Sequence, residues 1–350
     1  MKRSVFVAVI ALLCALCSGC DAWTGGEYLS VTPHEAQAVD YADRVIEVTS
    51  YTQLRNAVEN LVRTGADNGI ISISAFNKGT IHFYVDTAIS NVIENTAFGS
   101  YAVEEITYEI GTNRGISVVA CKIHYRSGYQ QPSQITQITN AVELETVIFE
   151  ALEGIDSSVL VHMDQYEKLD VETLVTEYAA QYPEKMVEIP ELLVNVYPDK
   201  GAERIVEISF EYQTDQVVLQ QMRAKIAERL NAAETSVREI DGDVTEKYAQ
   251  IHSFLTENYQ LTGTGSKTPL HSVLVNGEGN EKMLAEAYVL LCERNGLGCK
   301  MVSGTREGKS WTWNAVQIRG RYYEVDLLRC MENGAFALLT DEELSEYYSS

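Results

Sequence analysis

The sequence has few basic residues, few histidines and no spacing typical of a metal site. It contains 27 Lys and Arg against 50 Asp and Glu, a formal net charge of −23. This balance disfavours nucleic acids as partners, because no basic patch exists to release their counterions. The six His residues are scattered, and beyond residue 20 neither a Cys-x-x-Cys nor a His-x-x-x-His spacing occurs. We therefore expect no nucleic-acid partner, no metal and no cofactor.

Long apolar runs are also lacking. Residues 5–16 form an apolar run behind two basic residues, too short to span a membrane and typical of a signal peptide. Small residues then precede Cys20, which resembles the lipobox of bacterial lipoproteins, although Cys17 stands where that family usually has Leu. We expect residues 1–19 to be removed and Cys20 to be lipidated, with cleavage as an ordinary signal peptide as the alternative. The polar residues 20–45 would then tether an exported, membrane-anchored lipoprotein on the extracytoplasmic face.

Cysteines are too few for the dense disulfide framework of a small secreted domain. Beyond the predicted lipidation site the chain has Cys121, Cys292, Cys299 and Cys330. Cys121 alternates with Val119 and is expected to be a buried thiol. A bridge among the other three stays open.

The pattern of residues 46–213 indicates two divergent copies of one α+β unit. Each copy is predicted to contain a helix, a strand, a second helix and two strands. In repeat 1, residues 46–128, these fall at 51–62, 69–76, 87–95, 103–110 and 116–125. In repeat 2, residues 136–213, they fall at 142–152, 158–163, 171–181, 191–197 and 204–212. Neither copy contains a catalytic constellation, which favours spacing or binding.

An interdomain helix is predicted within residues 214–240, followed by a C-terminal domain over residues 241–350. Within that domain Leu284, Tyr288 and Leu291 recur at helical spacing, and Asn280 is a natural N-cap. The domain is predicted to contain helices at 244–259 and 281–295, strands at 299–304, 311–318 and 322–328, and a closing strand and helix within 336–348.

Several blocks of this domain resemble the transglutaminase-like family, a branch of the papain-like cysteine enzymes. They read, in order, Leu274-Val275-Asn276-Gly277, Ala285-Glu286-Ala287-Tyr288, Asn295-Gly296-Leu297, Val302-Ser303-Gly304, Trp313-Asn314-Ala315-Val316 and Tyr323-Glu324-Val325-Asp326. The resemblance implies an α+β papain-like fold for the last third of the chain, closed by a helix capped by Thr340 or Asp341.

The catalytic residues of that family are mostly replaced. Glu281 stands at the position of its Cys, Trp311 at the position of its His, and only Asp326 matches. In the family a thiolate attacks an acyl carbon, a His carries the proton and the Asp orients the His. A carboxylate is a poor substitute for that thiolate, and an indole has no basic nitrogen. The resemblance therefore implies the fold and argues against the activity.

The former active-site cleft is expected to be lined by Glu281, Trp311, Trp313, Asn314, Tyr323 and Asp326. If it is open, Trp311 offers an aromatic platform for a sugar ring or a peptide amine. If it is closed, Trp311 fills it; Trp313 is expected to be core. The leading hypothesis is a degenerate, non-enzymatic module that binds a peptide, a glycan or an envelope protein. The alternatives are a hydrolase of cell-wall or glycan substrates that pairs Glu281 with Asp326, and an active enzyme with a relocated thiol.

Overall fold

The computed structural model describes residues 45–349. The predicted signal peptide, the lipidation site Cys20 and all but the last residue of the predicted tether lie outside this range. The α+β class predicted from the sequence is confirmed. Within the described residues, no helix combines the length and the apolar character needed to cross a membrane.

The first unit packs helices on one four-stranded sheet. Its elements are β1 (Val45–Glu47), α1 (Tyr51–Arg63), β2 (Asn68–Ser72), α2 (Ile81–Asn95), α3 (Ala97–Ala102), β3 (Val103–Asn113) and β4 (Ile116–Tyr125). Helix α1 begins where the Ser50 side chain accepts a hydrogen bond from the Gln53 N–H, and it buries Leu54, Val58 and Leu61 at helical spacing. The strand order is β1-β2-β4-β3, with β1 parallel to β2 and the other pairs antiparallel.

The second unit has the same strand order and the same senses of pairing. A short helical turn, Pro132–Gln134, leads into β5 (Thr136–Ile138), α4 (Ala141–Gly154), β6 (Ser158–Met163), α5 (Val171–Gln181), β7 (Glu191–Tyr197) and β8 (Arg204–Glu211). Its strands lie in the order β5-β6-β8-β7, with only β5 and β6 parallel. A duplication would produce this shared order, although the duplication itself stays a prediction. Helix α3 has no counterpart here and packs against β7 and β8.

In the C-terminal part, the helix that begins at Glu281 packs on a four-stranded antiparallel sheet. Its elements are α6 (Gln216–Arg238), α7 (Val244–Thr256), β9 (Gln260–Leu261), two short turns (Pro269–His271 and Ser272–Asn276), β10 (Glu278–Gly279), α8 (Glu281–Arg294), β11 (Cys299–Arg306), β12 (Lys309–Ile318), β13 (Arg321–Val325), α9 (Leu327–Asn333), α10 (Asp341–Tyr347) and β14 (Tyr348–Ser349). The sheet order is β13-β12-β11-β14. Leu284, Tyr288 and Leu291 of α8 pack in one core with Val316 and Val325 of the sheet.

Helix α6 contacts the second unit as well as this core. Its residues Ile226 and Leu230 are buried in the C-terminal core, which also includes Ile155 of the second unit. The Gln216 side chain donates to the Ile155 carbonyl at 2.9 Å. The helix therefore lies between the unit and the domain that it connects.

Several predicted boundaries were wrong, among them that of the strand predicted over 69–76, which ends at Ser72. Helix α2 begins at Ile81 rather than near residue 87, because Ile81 and Val85 are buried in the core of the first unit and their packing outweighs weak helix propensity. The strand predicted over 322–328 ends at Val325, and Asp326 caps a new helix instead. The closing strand predicted just after residue 336 is not formed there. The predicted cap at Thr340 is present, paired with Glu343 in a capping box.

The buried hydroxyl of Tyr248 ties α7 to the sheet, and its removal should destabilise the fold. Tyr248 is fully buried and lies within hydrogen-bond distance of the carbonyls of Gly298 (2.7 Å) and Gln317 (3.0 Å). We expect Tyr248→Phe to lower the free energy of unfolding by about 1–3 kcal/mol in urea denaturation, because a part-buried hydrogen bond between α7 and the sheet is lost. Tyr322→Phe is the matched control, since Tyr322 is 49% exposed. Equal stabilities of the two variants would contradict this role.

Candidate functional site

Helix α8 begins at Glu281, the residue that the sequence predicts at the position of the family's nucleophile. The Asn280 side chain accepts a hydrogen bond from the Met283 N–H, which fixes the first turn, and Glu281 follows the cap half-buried. Tyr259 donates to the Asn280 carbonyl at 3.0 Å. Burial raises the pKa of Tyr259, and the negative charge of Glu281 adds to this rise. Glu281 therefore places a carboxylate, not a nucleophilic thiol, at the start of the helix.

Trp311, which the sequence predicts at the position of the family's His, is hydrogen-bonded to Asp326. Its Nε1–H donates to Oδ2 of Asp326 at 3.0 Å. The indole lies on β12 opposite Gly304 of β11, which has no side chain at that register position. The side chain that contacts Asp326 here is thus an indole, which has no basic nitrogen to accept a proton.

Asp326 is a buried carboxylate with both oxygens occupied. Its side chain is 2% exposed. Oδ2 accepts from Trp311, from Arg306 Nη1 at 3.0 Å and from the Tyr348 hydroxyl at 2.9 Å. Oδ1 accepts the backbone N–H groups of Leu328 (3.0 Å) and Arg329 (3.2 Å). Five donors from four elements therefore bind one carboxylate, so Asp326 holds these elements together.

The pKa of Tyr348, which also binds Asp326, is shifted by the same buried surroundings. Burial, together with the adjacent charge of Asp326, raises the pKa of Tyr348 to about 12. Its hydroxyl therefore keeps its proton at neutral pH and remains a donor. Tyr348 lies on β14, which pairs with β11 through Arg306, so the last strand contributes directly to this centre.

The face of Trp311 is also covered. The Arg306 guanidinium lies 5.2 Å from the centroid of the indole, a cation–π distance, and its other nitrogen reaches Glu332 at 3.1 Å. Trp311 itself is half-buried and packs against the C-terminal core. With its N–H bonded and one face covered, the indole behaves as a packed side chain rather than as a free platform.

The other residues predicted to line the cleft divide into buried and exposed ones. Trp313 is 1% exposed, donates to Glu324 Oε2 at 2.6 Å and meets the ring of Tyr348 edge-on at 5.1 Å. Asn314 is fully buried and donates to the Ala285 carbonyl of α8 at 3.0 Å. Tyr323 is 39% exposed on β13. The expectation that Trp313 is a core residue is confirmed, and Asn314, which ties β12 to α8, is buried as well, so neither side chain lines an accessible cleft.

This geometry does not favour the alternative of paired carboxylates. Glycoside hydrolysis needs two carboxyl groups that both face the substrate. Asp326 directs its oxygens at five protein donors, and within residues 45–349 no hydrogen bond or ion pair connects Glu281 to it.

The thiols are also poorly suited to nucleophilic chemistry. All four cysteines within the described residues are free, and Cys121, Cys292 and Cys330 are buried. Burial raises the pKa of Cys121 to about 12 and also raises those of Cys292 and Cys330. Cys299, half-buried, lies beside Cys292 and raises its pKa further. These surroundings disfavour the thiolate that a relocated nucleophile would need.

Sequence reasoning missed a large cleft between the second unit and α8. It has a volume of about 980 Å³, and its lining includes Met186, Ile189, Leu290 and Met301. Ile189 is 58% exposed and Met301 41% exposed. These residues come from separate segments with no common periodicity, so the sequence alone carries no signal for the cleft.

Comparison with protein families agrees with the resemblance predicted for this region. Residues 231–327 match the family model of the transglutaminase-like superfamily. No curated protein matches the chain. Three solved structures are similar to it: one provisionally described as a cysteine protease from Cytophaga hutchinsonii (11% identity, TM-score 0.27, covering 43% of this chain and 66% of that one), a TGase (8%, 0.27, 59% and 61%) and one provisionally described as a protease from Parabacteroides distasonis (8%, 0.24, 73% and 39%).

This chain thus spans less than two thirds of the length of each of those structures. The matched family segment contains α7, α8 and the three-stranded part of the sheet, together with Glu281, Trp311 and Asp326. Residues 231–327 therefore form a transglutaminase-like domain.

Proposed function

We propose that this chain is an exported, lipid-anchored protein of the cell envelope whose transglutaminase-like domain is not an enzyme but part of a peptide-binding module. The bond from Trp311 to Asp326 is the observation that carries this proposal. It occupies Asp326 with a donor that cannot take up a proton. The predicted lipidation at Cys20 supplies the membrane attachment.

The loss of activity follows from the three steps of acyl transfer. The reaction needs a thiolate, a base that removes and returns its proton, and an acid that orients the base. Glu281 supplies no thiolate and Trp311 supplies no base. Asp326 is held by Arg306 and Tyr348 as well, so its part is structural. The domain keeps the frame of the enzyme as a rigid support.

The second unit has an exposed edge strand that is suited to binding an extended peptide. Strand β7 is an edge of its sheet and exposes Leu193 (52%) and Val194 (41%). The corresponding edge of the first unit, β3, exposes Glu104 and Glu105 instead. Charged residues protect an edge strand against pairing, whereas an apolar edge is suited to accept an extended peptide. The start of β7 also borders the large cleft, through Glu191.

The bond from Trp311 should contribute to stability. We expect Trp311→Phe to lower the free energy of unfolding by about 1–3 kcal/mol, because a buried charge loses one donor. Urea denaturation followed by circular dichroism measures the change. Tyr323→Phe serves as the control, since Tyr323 is exposed and should change stability by less than about 0.5 kcal/mol. A Trp311→Phe variant as stable as the parent would remove the structural role assigned to this bond.

The missing chemistry should be restorable. We expect the double variant Glu281→Cys with Trp311→His to react with iodoacetamide at least tenfold faster than Glu281→Cys alone. A helix N-terminus lowers the pKa of a thiol, and an imidazole held by Asp326 can take its proton. Equal rates would mean that positions 281 and 311 do not face each other. The unmodified protein should release no ammonia from a glutamine-containing peptide, and measurable release would contradict the proposed loss of activity.

The peptide surface can be tested with a displayed library of random linear peptides. We expect selection on the unmodified protein to enrich peptides with alternating apolar residues. The Leu193→Lys variant should lose at least tenfold in affinity for them, because a charge is placed on the edge. Glu105→Lys, on the matching edge β3, is the control and should bind normally. Failure to enrich such peptides, or equal losses in both variants, would count against β7 as the binding edge.

A further inference from the structure

A buried histidine at the joint between the two units faces acceptor atoms on both sides. His162 of β6 is 4% exposed. Its Nδ1 lies 2.8 Å from Oε1 of Gln137, and its Nε2 lies 2.9 Å from Oε1 of Glu203. The orientation of the Gln137 amide is defined, because its nitrogen donates to Oδ1 of Asp164 at 3.1 Å. A neutral imidazole has one N–H, so donation to Gln137 leaves the lone pair of Nε2 facing a carboxylate.

The sheet register brings two carboxylates to the same place. Strands β6 and β8 are antiparallel with Met163 opposite Arg204, so the next positions along are Asp164 and Glu203. One oxygen of each and one ring nitrogen of His162 lie within 4.8 Å of one another. Like charges directly opposite on neighbouring strands destabilise a sheet unless a cation compensates them.

One cation already lies near, but it is poorly placed to compensate both charges. Arg63 of α1 lies 3.7 Å from Oε1 of Glu203, and its side chain is 49% exposed. Such a pair is weakened by solvent, and this contact involves only Glu203. A proton on Nε2 of His162 would likewise serve Glu203 alone. A metal ion would serve all three groups at once.

We propose that His162, Asp164 and Glu203 bind a divalent transition-metal ion of the zinc class. One imidazole nitrogen with two carboxylate oxygens is a donor set suited to Zn²⁺, whereas Ca²⁺ and Mg²⁺ prefer oxygen ligands alone. Gln137 supplies the outer support that metal-binding imidazoles have, because it accepts the proton of Nδ1 and turns Nε2 towards the site. Asp164 is exposed, which gives the ion access from solvent.

The position of this site gives the ion a structural role. The ring of Phe98, on α3 of the first unit, lies 4.9 Å from the imidazole of His162. Ile205, the residue opposite His162 on β8, is buried in the core of the first unit. An ion bound here would hold the ends of β6 and β8 at the surface on which the first unit packs, and it would stabilise the folded state that binds it.

Titration of the full chain with ZnCl₂ in competition with a chromophoric chelator tests this site. We expect one Zn²⁺ to bind per chain and the melting temperature to rise with added Zn²⁺. Asp164→Asn should weaken the affinity at least tenfold, because the exposed ligand is lost without a change of shape. Asp199→Asn is the matched control, since Asp199 is an exposed acid in the connection between β7 and β8 outside the three ligands. CaCl₂ and MgCl₂ should not compete.

Two results would overturn the proposal. The first is the absence of Zn²⁺ binding, which would mean that a proton on His162 and the Arg63 contact compensate the two carboxylates. The second is Zn²⁺ binding that Asp164→Asn leaves unchanged, which would mean that the ion binds elsewhere on this acidic chain. A second variant, Gln137→Leu, separates a ligand site from a simple ion pair. It should weaken Zn²⁺ binding by about tenfold or more although Gln137 is not itself a ligand.

Discussion

The C-terminal domain depends on one buried negative charge. Asp326 starts α9, receives donors from β11, β12 and β14, and is almost inaccessible to water. An ionised carboxylate in such a place is tolerated only when its oxygens are fully bonded. Every element that supplies a donor is therefore fixed relative to the others. The network determines where β13 ends, how β14 attaches to β11 and how the Trp311 indole is held.

Under the proposed function, the same network accounts for a domain that keeps the fold of an enzyme family without its activity. In an enzyme of this family the acid orients an imidazole, and the imidazole must be free to exchange a proton. Here an indole N–H makes the equivalent bond, and a guanidinium covers the ring. Asp326 is needed for the fold because its removal would take away the acceptor of the Trp311 indole N–H and of two backbone N–H groups. Under the proposed function, Asp326 therefore has a structural role that does not depend on catalysis.

The sequence predicts the elements well where pattern and packing agree, as in α5 and β6, whose bounds match the structure. It fails where a side chain competes with the regular backbone, as when Asp326 ends a strand and caps a helix. It also fails where function depends on register. His162 and Glu203 are 41 positions apart and meet only because β6 pairs with β8, so no local spacing reveals them. The resemblance to the transglutaminase-like family was recognisable because each of its blocks is a short run of consecutive residues. The hydrogen-bond partners of Asp326 come from segments far apart in the chain, so the sequence alone did not reveal them.

The placement of tryptophan makes the two halves of the molecule spectroscopically unequal. The chain has three Trp residues, and the two within the described range, Trp311 and Trp313, lie on the single strand β12. Trp23 precedes that range. The indole fluorescence of Trp311 and Trp313 therefore reports on the C-terminal domain, while far-ultraviolet circular dichroism also includes the helices and strands of both units. Denaturation curves from the two signals would separate if the units and the domain unfold at different denaturant concentrations, and would coincide if α6 couples them into one cooperative structure.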